Sequence, residues 1–170
     1  EVTLNYWDKI YDKRIFYKTT IVVDTTAPEK VDILYPGAKE INSKIYYKED
    51  ATISFVMIEK NFQPERITLL DVYTSNSHDR TDEYTQADEV EGQERLVYVQ
   101  DSANTDKWIV HYTIPKEECG IHNVTLTYNE PCQDGEIVFD AEPIILDSCA
   151  PEFSTPPVIS GWKSAEIRNK

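Results

Sequence analysis

An all-β fold of two stacked antiparallel layers is the architecture this sequence predicts, and three observations point to it. Apolar side chains recur at every second residue over short runs, most clearly Trp108, Val110, Tyr112 and Ile114; that is the period of a strand with one buried face. Eleven tyrosines stand with many valines, isoleucines and threonines against only five glycines, a composition that fits pleated, half-buried surfaces. No segment carries a helical period, and prolines divide the apolar runs. At 170 residues the chain can bury one substantial core but not two sandwiches.

The elements follow in order. Residues 31–35 and 44–47 are β-prone runs separated by the turn signal Pro36-Gly37. Residues 51–58 alternate, with Ile53, Phe55 and Met57 on one face and Thr52, Ser54, Val56 and Ile58 on the other, so one face is expected in the core. Residues 67–73, 96–99, 108–114, 124–128 and 137–146 continue the pattern. Seven to eight short strands at this spacing predict an immunoglobulin-like antiparallel β-sandwich with Greek-key connections. Residues 74–94 read as one long polar connection holding Asp79, Asp82, Glu83, Asp88, Glu89 and Glu91, and a loop of that length in a compact domain is usually either functional or mobile.

Self-similarity sets the expected boundaries. Glu1-Val2-Thr3-Leu4-Asn5-Tyr6 parallels Asn123-Val124-Thr125-Leu126-Thr127-Tyr128, and Ile21-Val22-Val23-Asp24-Thr25-Thr26-Ala27-Pro28 parallels Ile144-Ile145-Leu146-Asp147-Ser148-Cys149-Ala150-Pro151. The matches keep their order, and their spacings agree once a residue is inserted near Pro143. A period of roughly 120 residues is one sandwich, not a solenoid unit. The expected organisation is a terminal hairpin of a preceding repeat over residues 1–24, a complete repeat over 25–149, and the start of the next repeat or a linker over 150–170. A lone hairpin with an apolar face is marginal in water. Residues 1–24 must therefore pair with an edge of the central sandwich, exchange with a second chain, or mark a structural boundary that differs from the repeat.

A family resemblance rests on particular stretches. They are Ile45-Tyr46-Tyr47, Ala51-Thr52-Ile53-Ser54-Phe55, Glu59-Lys60-Asn61-Phe62 and Pro64-Glu65-Arg66-Ile67, together with the junction Val23-Asp24-Thr25-Thr26-Ala27-Pro28 and Gly120-Ile121-His122-Asn123-Val124-Thr125-Leu126. Through these the chain resembles Ig-like repeats of large cell-surface proteins from gut Firmicutes. The resemblance covers most of residues 21–151. It implies an extracellular module on a bacterial cell surface or cell wall, and such multidomain proteins are similar to adhesins, to modular glycosidases and to surface proteins that capture host immunoglobulin. Two departures stand out: His122 occupies a position where such domains commonly carry Tyr, and Asn129-Glu130-Pro131-Cys132 replaces the usual Asp-x-Ala-Gly-Asn turn.

The net charge of −14 argues against a sequence-independent grip on nucleic acid or on an anionic membrane, since either needs clustered Lys and Arg. There is no apolar run long enough to span a bilayer, and any targeting or anchoring signal is expected outside these residues. Cys119 precedes one strand of the last hairpin and Cys149 follows the other, so antiparallel pairing brings them together. A disulfide there, closing about thirty residues, would stabilise by roughly 3–4 kcal/mol on the chain-entropy account and leave Cys132 as a free thiol at the hairpin tip. Three reduced thiols are the alternative.

Candidate catalytic groups are few. His78 sits in the acidic loop, His111 on the strand face opposite Trp108 and Val110, and His122 at a strand start; the three are scattered without metal-ligand spacing, and a structural role is expected for each. Calcium is the one cofactor considered, with Asp24 and Asp147 at matching junction positions and Asp101 and Asp106 converging at one end of the sandwich. Tyr73, His78, Arg80 and Tyr84 are the expected binding surface, because aromatic and arginine side chains give large contact area. The function expected is a non-catalytic module for display or adhesion. Its partners are neighbouring repeats and a host glycoprotein or immunoglobulin. Two alternatives are an immunoglobulin-binding, superantigen-like domain and a carbohydrate-binding accessory domain of a surface glycosidase, the latter requiring an exposed row of aromatic rings.

Overall fold

The computed structural model describes residues 2–20, 26–75, 79–86, 95–130 and 135–149. It is all-β, as the alternation predicts. β1 (Val2–Asp8) and β2 (Lys13–Thr19) form a two-stranded sheet of their own. The rest of the described chain builds two facing sheets. One has the order β3 (Glu29–Leu34), β6 (Ala51–Ile58), β10 (Lys107–Ile114), β9 (Leu96–Gln100). The other runs β4 (Lys39–Ile41), β5 (Lys44–Tyr47), β13 (Ile144–Leu146), β11 (Gly120–Glu130), β7 (Ile67–Thr74), β8 (Asp79–Thr85), with β12 (Gly135–Asp140) also on β11. In immunoglobulin lettering the smaller sheet is A-B-E-D, and in the larger β5 is A′, β12 and β13 together are G, and β11, β7 and β8 are F, C and C′, with β4 additional, the Greek-key arrangement of that sandwich.

The core lies where the period places it. Ile53, Phe55 and Met57 of β6 and Val110, Tyr112 and Ile114 of β10 face Ile67 and Leu69 of β7, and Val124, Leu126 and Tyr128 of β11. Phe139 of β12 meets Phe55 edge-on, with ring centroids 5.8 Å apart. The Glu59-x-Asn61-Phe62 stretch closes the end of the sandwich near the β9–β10 turn. Glu59 is buried and accepts the Asn61 N–H at 2.7 Å, while Phe62 stacks on Trp108 and Tyr128 at 4.4 and 5.7 Å.

Four features depart from the sequence reading. The long connection over 74–94 contains a strand, β8, whose seven residues all pair with β7; its polar composition suits an edge position, where charge opposes pairing with another chain. β5 pairs in parallel with β13, so the larger sheet is mixed and not wholly antiparallel. A short strand not expected from the sequence, β4, pairs with β5, and the β4–β5 turn uses Asn42 and Ser43 at φ of 52° and 58°, the conformation a two-residue hairpin turn demands. Finally, residues 137–146 are two strands. The ladder breaks at Ala141-Glu142-Pro143, where Pro143 has no N–H to offer, the Ala141 N–H bonds the Val124 carbonyl and the Glu142 N–H bonds the Tyr35 hydroxyl at 2.7 Å. With these, the two facing sheets hold eleven described strands in place of seven to eight.

Gly120 opens β11 under a tight constraint. A Cβ there would stand 2.6 Å from the Thr74 carbonyl oxygen and 2.7 Å from the Tyr73 ring. Gly120→Ala is expected to destabilise by about 1–3 kcal/mol, since backbone on one side and a packed ring on the other must shift. A urea-unfolding midpoint equal to that of the parent chain would show that the contact relaxes freely.

Candidate functional site

Polar side chains gather where β10, β11, β7 and β8 meet, at the end of the sandwich from which the chain leaves β13. β7 alternates inward with Ile67, Leu69, Asp71 and Tyr73, and β11 with His122, Val124, Leu126 and Tyr128. The pairing His122↔Tyr73 and Val124↔Asp71 therefore puts a carboxylate and an imidazole side by side in the core. Asp71 and His122 are both buried. His122 Nδ1 lies 2.9 Å from Asp71 Oδ2, and His122 Nε2 lies 2.8 Å from the Glu118 carbonyl oxygen. The Tyr112 hydroxyl donates to Asp71 Oδ2 at 2.8 Å.

This bond from the start of β11 back to the turn before it is the one a tyrosine makes in immunoglobulin sandwiches. Here histidine makes it, which accounts for the departure at position 122. The turn is held from several sides. The Tyr73 hydroxyl donates to the Cys119 carbonyl at 2.9 Å, the Ser148 hydroxyl donates to the Lys116 carbonyl, and Cys119 is joined to Cys149 by a disulfide with Cα atoms 5.8 Å apart. Arg95 donates two hydrogen bonds to the Glu118 carboxylate at 3.1 and 2.7 Å, and Arg80 reaches the same carboxylate at 2.8 Å.

Electrostatics follow from these contacts. Burial tends to raise the Glu118 carboxyl, but the hydrogen bonds from Arg95 and Arg80 outweigh it and hold the group below its usual range. Burial tends to lower His122, and the bonds to Asp71 and to the Glu118 carbonyl outweigh it, so its pKa is raised. Tyr112 is raised by burial first and by the Asp71 charge second.

The residues expected to form a binding surface have different fates. Tyr73 is buried, because it continues the inward set of β7; it belongs to the core and not to an exposed patch. Tyr84 is half-buried, packing on Tyr112 at 5.4 Å under the Arg95 guanidinium. Arg80 is exposed, lies 5.0 Å over the Tyr73 ring and pairs with Asp82. His78, Asp24 and Cys132 lie outside the described residues.

The described calcium candidates, Asp101, Asp106 and Asp147, do not assemble. Asp101 accepts the Ala103 N–H at 2.8 Å and pairs with Lys107 at 3.2 Å, so it serves the β9–β10 turn. Asp106 is in the same turn, whereas Asp147 is exposed at the opposite end, beside Tyr47. Among the described residues no three His, Cys, Asp or Glu side chains come close enough to hold a metal ion.

Two histidine pairs merit a chemical reading. His111 Nδ1 lies 2.8 Å from Ser54 Oγ on the outer face of the smaller sheet, with Ser54 buried and therefore shielded from a substrate. In the Asp71–His122 pair the second nitrogen is already bonded to a carbonyl, so it cannot take a proton from a nucleophile. Neither arrangement has the open dyad that hydrolysis requires.

No protein-family model matches the chain, and no curated protein matches it.

Sequence reasoning missed Asp71, Tyr112, Glu118 and Arg95. A signal was present for the first. Asp71 and His122 each sit on the apolar phase of their strands, and a buried charge needs a partner, so two such interruptions on neighbouring strands point to each other.

Proposed function

We propose that this chain is cut from a tandem array of Ig-like modules on a bacterial cell surface, and that the central sandwich is a non-catalytic unit for display and adhesion. One observation supports the repeat, and the surface and adhesion roles rest on the resemblance of the sequence alone. Adding 122 to each residue number converts the β1–β2 register, Thr3↔Lys18 through Asp8↔Lys13, into the β11–β12 register, Thr125↔Asp140 through Glu130↔Gly135. Six cross-strand pairs coincide, and four residues separate the strands in each hairpin. The seventh pair, Val2↔Thr19, corresponds to Val124 and Ala141, which share a backbone hydrogen bond. The single inserted residue of the repeat then falls in the break between β12 and β13.

The first hairpin thus has the form of the F–G hairpin of another copy, and its exposed side chains fit that role. Val2, Leu4 and Tyr17 are 48, 60 and 58 % exposed, whereas their counterparts Val124, Leu126 and Phe139 are 2, 0 and 0 % exposed inside the sandwich. The occupant that would cover Val2, Leu4 and Tyr17 is the remaining strands of a preceding module.

A graft tests this. Residues 2–19 placed over residues 124–141 are expected to preserve a cooperative unfolding transition, while residues 3–20 in the same place are not, because a one-residue slip turns the apolar face outward. An in-register graft that melts without cooperativity, or a slipped graft that is equally stable, would remove the support for the array.

Capture of a host protein is part of the same proposal, with immunoglobulin the specific candidate. Immobilised chain should retain immunoglobulin from serum at sub-micromolar affinity, and failure to do so leaves a spacing module. A glycan-binding role would need exposed rings, and every described aromatic residue of the sandwich is buried or half-buried. Exposed rings stand on the hairpin, where Trp7 and Phe16 share the outward face, so that weaker reading attaches to the preceding module.

A further inference from the structure

We propose that the start of β11 is a proton-operated clamp: buried His122 ties β7 to the β10–β11 turn through both ring nitrogens, and it keeps both bonds only while its pair with Asp71 holds an additional proton. The geometry requires this. A neutral imidazole has one donor and one acceptor nitrogen, yet Nε2 faces a carbonyl oxygen at 2.8 Å and Nδ1 faces a carboxylate at 2.9 Å. A carbonyl only accepts, so Nε2 must carry hydrogen. The other contact then needs a hydrogen between Nδ1 and the Asp71 carboxylate, and Tyr112 already donates its own to that carboxylate.

The groups around the ring leave no substitute. From β7 come Asp71 and the Tyr73 ring, whose centroid is 4.8 Å from that of His122 and whose hydroxyl is committed to the Cys119 carbonyl. From β10 comes Tyr112, with Tyr84 of β8 packed against it. From the turn comes Glu118, itself bound by Arg80 and Arg95. On the β13 side the neighbour in register is Ile144, which has no proton to give.

Loss of the proton leaves one ring hydrogen for two acceptors; it stays on Nδ1 against the carboxylate, the stronger acceptor, so a bare Nε2 faces the Glu118 carbonyl and that bond is released. The released segment is the turn that carries Cys119 and, through the disulfide, the chain leaving β13. His122 has a raised folded-state pKa, since burial, which lowers it, is outweighed by the bonds to Asp71 and to the Glu118 carbonyl. Its contribution is therefore complete below the unfolded histidine value of about 6.5 and is lost as pH rises through the higher folded value.

The test is a nitrogen-15 spectrum of the histidine rings of the intact chain, recorded from pH 5.5 to 9, with urea-unfolding midpoints over the same range. The expected result is that His122 shows two protonated nitrogens at pH 6 and keeps them well past the pH where a free imidazole titrates, and that the midpoint falls as they are lost. His122→Gln, whose amide neither gains nor loses a proton over this range, should remove the fall. A His122 spectrum with one bare nitrogen at pH 6, or a midpoint that His122→Gln leaves equally dependent on pH, would overturn the clamp. Should His122→Gln fail to fold, the spectrum of the parent chain alone decides.

Discussion

Asp71→Ala is expected to destabilise the sandwich by about 3–5 kcal/mol, the loss seen when one partner of a buried charge pair is removed. The size follows from what is left behind. Asp71 accepts from both His122 and Tyr112 in a region sealed from water, and alanine would strand an imidazole nitrogen and a hydroxyl together, each bearing the desolvation cost of an unmade bond. A native domain is stable by only about 5–15 kcal/mol, so the variant is expected near the edge of folding at 37 °C. Asp71→Asn should lose less, because it keeps an acceptor for Tyr112. Urea unfolding of both variants at pH 6 checks the order, and an alanine loss under about 1 kcal/mol would show that the His122 charge is borne elsewhere.

Removing the disulfide is the second large effect. Cys119→Ser with Cys149→Ser opens a loop of 30 residues in sequence separation, worth about 3–4 kcal/mol on the chain-entropy account. The loop encloses β11, β12 and β13, so the unfolded chain regains freedom over the whole last hairpin. A drop in melting temperature on the order of 10 °C is expected, and reductant should reproduce it in the parent chain because Cys149 is exposed. Mapping under non-reducing conditions should recover the 119 and 149 peptides joined. A double variant as stable as the parent would mean that the hydrogen bonds from Tyr73, Ser148 and His122 hold the turn by themselves.

Several parts of the fold were legible before any coordinates. The period-2 runs in β6, β7, β10 and β11 placed the core correctly, since alternation records which face is dry. The position of the two cysteines outside one hairpin made their partnership one of two readings, because antiparallel strands bring their outer ends together, and the disulfide in the structure decides between them. β8 was not legible. Its sequence, Asp-Arg-Thr-Asp-Glu-Tyr-Thr, has almost no apolar signal, and it is a strand because β7 offers it an edge. The parallel β5–β13 pair and the break at Pro143 were hidden for the same reason, each depending on a neighbour distant in the chain.

The charged corner shows the same division. Asp71 and His122 were visible singly as polar residues on apolar phases, but their strands are separated by 51 positions, and Glu118, Arg80 and Arg95 come from three further segments. Alternation and composition, both local properties of the chain, determined by themselves that it is a β-sandwich. Which polar residues meet, and hence which carry a charge in the core, was decided only by tertiary structure, because pairing register is a relation between strands and no single strand contains it.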